Sequence, residues 1–230
     1  MMRPFLAVLV FNLIVVSQQQ SSNLILGFGD SYTSGGTGSY PLIAGKILNW
    51  QARNFAVGGA KTGNIPSQLS TAGSVLASAS HVVFTIGGND LGVSQLIQQV
   101  VLYNDYAGAA NRTVALKPQL VFTYKLIKGA VRPGTKVYAV PYVDFLSVGN
   151  KIPNEDNAHR LMDVLSDTVK AAAEEVGFGF IGAVKTAFAG HEMYSEDPYA
   201  PGLTEPGAAH PNSKGYRKIG EVVAEHLNAN

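Results

Sequence analysis

Four short polar stretches of this chain hold side chains and backbone groups able to do chemistry together. They are Gly29-Asp30-Ser31-Tyr32, Asn54-Phe55-Ala56-Val57-Gly58-Gly59, Gly87-Gly88-Asn89-Asp90 and His210-Pro211-Asn212. Between them they supply a hydroxyl, backbone N–H donors at a glycine, a side-chain amide and an imidazole. That is the inventory of serine acyl transfer, in which a base activates a hydroxyl and fixed donors receive the negative charge developing on oxygen. Each stretch taken singly also has a plainer role. Asp30 or Ser31 could cap a helix, Gly58-Gly59 could be a simple turn, Asn89-Asp90 could cap the segment after it, and His210 could be a surface residue before a helix. Asp90 reads as such a cap. His81, His159, His191 and His226 stand in no such stretch and read as structural or exposed.

The elements that would position these groups follow from hydrophobic patterning. Residues 24–28 form an apolar run that ends in small and polar residues, the pattern of a buried parallel strand and a sharp turn. Gly27 and Gly29 let the backbone turn or approach a neighbour, and Ser31 follows at the carboxyl end, the edge at which open α/β sheets bind ligands. Further strands are expected over 52–57, 81–86, 136–140 and 178–181. Helices are expected over 40–48, 65–79, 91–103, 113–130, 157–176 and 213–227, the fifth with Leu161, Val164, Leu165, Thr168 and Ala172 on one face. Residues 189–209 make a long loop rich in Pro and Gly. Strand then helix, repeated about five times, predicts one α/β domain over 22–230. Its form would be a three-layer α/β/α sandwich, flavodoxin-like, with about five parallel strands and helices on both faces.

Composition narrows the function. At 230 residues, 46% hydrophobic and 14% charged, the chain can bury a core, and a net charge of +1 without basic runs argues against nucleic acid as a partner. The absence of cysteine excludes disulfides and a thiol nucleophile. Met1-Met2-Arg3, an apolar run over 4–16 and small residues at Val15-Val16-Ser17 have the pattern of a secretory signal, so residues 1–17 are expected to be removed on export to the extracellular medium. No other segment is long and apolar enough to span a bilayer. Asn111-Arg112-Thr113 is a glycosylation sequon, usable where the host glycosylates secreted proteins.

With these four stretches in this order and strand context, the chain resembles the SGNH hydrolases, also called GDSL lipases/esterases, from Ile25 to about Leu227. Residues 28–35, 54–62, 85–91 and 210–216 carry the match, and Thr85-Ile86-Gly87-Gly88-Asn89-Asp90 looks most like the family's extracellular lipase and phospholipase branch. The resemblance implies Ser31 as nucleophile, His210 as general base and then acid, and an oxyanion hole built from the Ser31 and Gly59 N–H groups and the Asn89 amide. It implies no metal and no cofactor, a small-molecule ester or lipid substrate, and we expect a monomer. One position departs from the family pattern. The aspartate usually found three residues before the histidine is Gly207 here. The Gly207 main-chain carbonyl is the matching candidate for orienting the imidazole, with Glu205, Glu196 and Asp197 as the acids nearest in sequence.

Rival readings fit less well. A dinucleotide-binding fingerprint fails because Tyr32 stands where its third glycine belongs, and no Gly-x-Ser-x-Gly elbow occurs in the chain. A non-catalytic binding module on this fold would be expected to lack Ser31, Asn89 or His210, and all three are present. A carbohydrate O-acetylesterase of the same family is the alternative to a lipid esterase. An apolar acyl wall is expected from Met193, Tyr194, Tyr199 and Leu203 in the long loop.

Overall fold

β1 (Leu24–Gly29) is buried along its whole length, as a strand with neighbours on both edges and helices on both faces must be. The computed structural model describes residues 23–35 and 38–230, so the expected export signal at 1–17 lies outside the described residues. β1 lies between β2 (Gln51–Asn54) and β3 (His81–Thr85), and the sheet continues through β4 (Lys136–Ala139) to β5 (Gly179–Phe180). The order is β2-β1-β3-β4-β5 and every pairing is parallel. This is the expected doubly wound sandwich. Its winding direction reverses between β1 and β3, which leaves a crevice at their carboxyl ends. The register puts Gly29 beside Thr85, so both strands end at the same level and release their loops into that crevice.

Two helical layers cover the sheet. α2 (Tyr40–Leu48) packs against the closing helix α9 (Ser213–Ala229). α3 (Ile65–Ala72), α5 (Val93–Tyr103), α6 (Tyr106–Ala115), α7 (Lys117–Ala130) and α8 (Glu155–Val176) pack among themselves, and right-handed crossovers place them on the opposite face. Single turns α1 (Ser31–Ser34) and α4 (Gly88–Leu91) follow β1 and β3. Among the described residues no helix is long and apolar enough to cross a membrane.

Several boundaries differ from the pattern in the sequence, each for a local reason. The helix expected over 65–79 stops at Gly73, whose φ is +52°, and continues only as a 3-10 turn. Gly92, at φ +63°, separates α4 from α5 where one helix from 91 was expected. The helix expected over 113–130 is two helices. α7 begins at Lys117 with Pro118 in its first turn, where a missing N–H costs nothing. α6 starts seven residues earlier than expected, because the Asp105 side chain accepts from the Gly108 N–H at 2.9 Å and starts a helix there. β2 ends at Asn54 rather than at 57, although the Phe55 N–H still donates to the Gly27 carbonyl at 2.8 Å.

The loop over 140–154, between β4 and α8, is held by side chains rather than by a ladder. His159 Nδ1 meets Asp144 Oδ2 at 2.7 Å and its Nε2 meets the Ser147 carbonyl at 2.9 Å. Glu155 Oε1 accepts from Ser147 Oγ at 2.5 Å, and Oε2 accepts from the Asn150 N–H at 2.5 Å. Both ring nitrogens of His159 face acceptors, so the doubly protonated ring suits the site. The hydrogen bond to Asp144 pushes the imidazole up from its usual 6.5 to about 9. A raised folded pKa means that this pairing adds stability fully below pH 6.5 and loses it as pH rises through about 9. His159→Gln should therefore lower Tm most below pH 6.5, and the gap to the parent should close above pH 9. Thermal unfolding of both proteins across that range checks this, and a gap independent of pH would refute it.

Candidate active site

Ser31 opens the single turn α1, and four separate groups hold that turn. The Asp30 carboxylate caps it, Oδ1 accepting from the Tyr32 N–H at 2.9 Å. The Asp30 N–H donates to the Thr85 carbonyl at 3.0 Å, and Thr33 Oγ1 accepts from the Thr85 N–H at 2.9 Å. From α3, the amide of Gln68 pairs with both backbone groups of Gly29, Oε1 to N–H at 2.8 Å and Nε2 to carbonyl at 2.7 Å. Gly29 has φ +123°, and a Cβ there would lie 2.1 Å from the Thr85 carbonyl oxygen, so only glycine fits.

His210 lies just before α9. Asn212 caps that helix, its Oδ1 accepting from the Lys214 and Gly215 N–H groups at 3.0 and 3.1 Å while Nδ2 donates to the Pro198 carbonyl at 2.7 Å. Tyr216, in the first turn of α9, donates its hydroxyl to the Ser31 carbonyl at 3.0 Å. With both ends tied, Ser31 Oγ and His210 Nε2 stand 2.7 Å apart. The other ring nitrogen, Nδ1, is 3.1 Å from the Ala208 carbonyl oxygen. A carbonyl only accepts, so Nδ1 carries the proton and Nε2 is left to accept from the serine hydroxyl.

The orienting carbonyl is thus Ala208's and not, as expected, Gly207's. The Gly207 carbonyl accepts from the His210 N–H at 3.0 Å and closes the turn, while Ala209 adopts φ +63° between Ala208 and the histidine. None of the acids considered reaches the ring. Glu205 and Glu196 are exposed, and Asp197 pairs with Lys214 Nζ.

Asn89 stands in α4, and its Nδ2 donates to the Ala60 carbonyl at 2.9 Å. The amide has a second N–H, which that bond leaves available. Asp90 is a cap, but not of the segment after it. Its carboxylate accepts from the Thr62 N–H at 3.0 Å, from Thr62 Oγ1 at 2.7 Å and from Gln119 Nε2 at 2.6 Å, so it caps the 3-10 turn Thr62–Asn64. Asn54 Nδ2 donates to the Thr33 carbonyl at 2.8 Å and ties the β2 loop to α1.

Ser31, Asn89 and His210 line one cavity of about 40 Å³, whose apolar walls are Val93 and Ile97 of α5, Phe145 and Met162. Gly59 does not line it. It sits on the exposed β2–α3 loop, one residue before the Ala60 carbonyl that Asn89 holds. The expected acyl wall is not there either. Met193 is buried in the core, Tyr199 stacks on His191 with centroids 3.9 Å apart, and the Tyr194 hydroxyl accepts from the Leu203 N–H. Asp30 is buried, and burial pushes its carboxyl up to about 7 against the lowering effect of a hydrogen bond from Tyr142. No local motif marks Gln68 or Tyr142, and Tyr216, although it ends the matched run 210–216, carries no expected role in the sequence.

The arrangement offers a hydroxyl with a base in contact, a tautomer set by a carbonyl, and an amide donor beside both. It lies at the carboxyl edge of a doubly wound sheet, and comparison with known proteins agrees. Residues 28–218 match the GDSL-like Lipase/Acylhydrolase family. The chain belongs to that family and is a carboxylic ester hydrolase. A lipase of Streptomyces rimosus is 28% identical, the alignment covering 95% of this chain and 91% of the relative. The crystal structure of an extracellular lipase from Streptomyces rimosus superposes with a TM-score of 0.73 at 26% identity, over 90% of this chain and 99% of that one. A phospholipase A1 from Streptomyces albidoflavus shares the fold, with a TM-score of 0.69 at 22% identity over 90% and 99% of the two chains.

A main-chain carbonyl at Nδ1 makes a definite demand of the neighbouring acids. Glu205→Gln, Glu196→Gln and Asp197→Asn should each lower kcat/KM for ester hydrolysis by less than about tenfold, whereas loss of a true triad acid costs on the order of 10⁴. A collapse in any one of them, with the fold intact by circular dichroism, would show that its carboxylate replaces the Ala208 carbonyl during turnover.

Proposed function

We propose that this protein hydrolyses carboxylic esters through an acyl-enzyme on Ser31. The observation that carries the reading is the 2.7 Å contact between Ser31 Oγ and His210 Nε2 in a cavity that Asn89 also lines. Ser31 Oγ attacks the ester carbonyl carbon as Nε2 takes its proton. The tetrahedral oxyanion is received by the Asn89 amide and the Ser31 N–H. Collapse breaks the bond to the alcohol, which leaves with the proton from Nε2. A water then attacks the acyl-enzyme by the same route, giving the acid and free Ser31. The Ala208 carbonyl holds the imidazole but brings no charge, so the imidazolium gains less from it than from a carboxylate.

The likeness to lipases supports a lipid ester as substrate, with the acyl group against Val93, Ile97, Phe145 and Met162 and a single chain supplying every group of the site. The N-terminal pattern of residues 1–17 and the extracellular relative support export. One observation favours the second reading, a carbohydrate O-acetylesterase. The cavity is small, about 40 Å³, room for roughly three water-sized groups at about 10–15 Å³ each, which favours a short acyl group.

Three measurements test these readings. Ser31→Ala should lower turnover by about 10⁴-fold or more and leave the fold intact, and an organophosphonate should label Ser31 alone. An adduct on another serine would end the assignment. On p-nitrophenyl esters from acetyl to palmitoyl, the lipid reading expects activity to extend to acyl chains of ten carbons or more. Activity confined to acetyl esters would replace it with the second reading.

A further inference from the structure

We propose that Tyr142 is a positioning residue for ester hydrolysis, its hydroxyl joining the turn that presents Ser31 to the turn that presents Asn89. The inference rests on the reading of Ser31 and Asn89 given above. Tyr142 lies in the loop after β4, outside the four stretches that carry the motif, and its ring reaches back across the carboxyl edge of the sheet into the cavity wall. The side chain is buried, and its ring meets that of Tyr32 edge-on with centroids 4.9 Å apart.

The hydroxyl has one proton and two acceptor sites. The Gly88 N–H can only donate, and it does so to the Tyr142 oxygen at 2.8 Å. The tyrosine proton goes to Asp30 Oδ2. The other oxygen of the same carboxylate caps the Ser31 turn through the Tyr32 N–H. Gly88 is the residue before Asn89 and the first residue of α4. One chain of hydrogen bonds therefore runs from the Ser31 turn, through Asp30 and Tyr142, to the backbone that carries Asn89. Every group in it is buried, so each bond has a defined partner and little competition from water.

The contact also accounts for the glycine. A Cβ on Gly88 would lie 2.8 Å from the Tyr142 oxygen, so a side chain there would push the hydroxyl from its place. Oxyanion donors act only when they stand about 2.7–3.1 Å from the developing charge. Two such donors on separate turns need a fixed spacing, and Tyr142 is the group that spans the turns after β1 and β3. Its hydroxyl is bonded to Asp30 and to the Gly88 N–H and to neither reacting atom, so the hydroxyl acts through Ser31 and Asn89.

The test is a double-mutant cycle on kcat. Asn89→Ala should lower kcat by about 10²- to 10³-fold. Tyr142→Phe, which keeps the ring, should lower kcat by about tenfold with KM changed by less than about twofold. In the Asn89→Ala background the same substitution should cost less than about threefold, because the spacing it protects no longer serves a donor. Equal losses in both backgrounds, or a change in KM alone, would overturn the proposal. Should Tyr142→Phe fail to fold, Gly88→Ala keeps the hydroxyl but displaces it, and the same non-additive loss is expected. If Asn89→Ala keeps full turnover while Ser31 is still labelled, the oxyanion reading fails rather than the hydrogen-bond chain.

Discussion

A 2.7 Å contact between residues 179 positions apart in the chain is the constraint that the rest of the molecule meets. Neither partner is anchored by its own sequence neighbours alone. Ser31 is placed by β1 and by the Thr85 and Gln68 contacts, which depend on β3 and α3. His210 is placed by Asn212 and by α9, which depends on α2 for its packing. The Tyr216 hydroxyl on the Ser31 carbonyl ties the second set to the first. A shift of about an ångström at such a site can cost about 10²-fold in rate. The sheet and both helical layers are needed to hold one hydrogen bond to that tolerance.

The polar network around the site differs in kind from the core. The core is apolar and tolerant, with rings such as Phe84 and Tyr124 packed edge-on at 4.8 Å. At the carboxyl edge, several polar groups are joined pair by pair, although the buried Tyr32 hydroxyl has no partner. Asp30 meets Tyr142, Thr33 meets Thr85, Gln68 meets Gly29 and Asp90 meets Thr62. Such groups are costly to bury unpaired, which makes their arrangement nearly unique once the backbone is set. Burial pushes the Asp30 carboxyl up to about 7 even with two donors upon it.

What could be read from the sequence was what is local. The apolar run before Ser31, the strand before Gly87 and the long helix α8 each announce themselves within a few residues, and the parallel sheet follows from their alternation. Contacts that depend on tertiary placement could not be read. Gln68 is an ordinary helix residue until α3 brings it against Gly29, and Asp90 looks like a local cap although it serves a turn 28 residues away. The choice between the Gly207 and Ala208 carbonyls turns on one dihedral, the φ of +63° at Ala209, and alanine gives no hint of a left-handed conformation. The residues expected as an acyl wall lie in a loop, where no period tells which side chains face inward, and Met193 belongs to the core.

The separation of Ser31 and His210 along the chain also sets the order in which the protein comes to life during its synthesis. The Ser31 turn and the crevice between β1 and β3 are complete in sequence long before residue 210 is made. Until α9 docks on α2, nothing holds His210 against the Ser31 hydroxyl. The base proposed for Ser31 therefore reaches it only once α9 is in place.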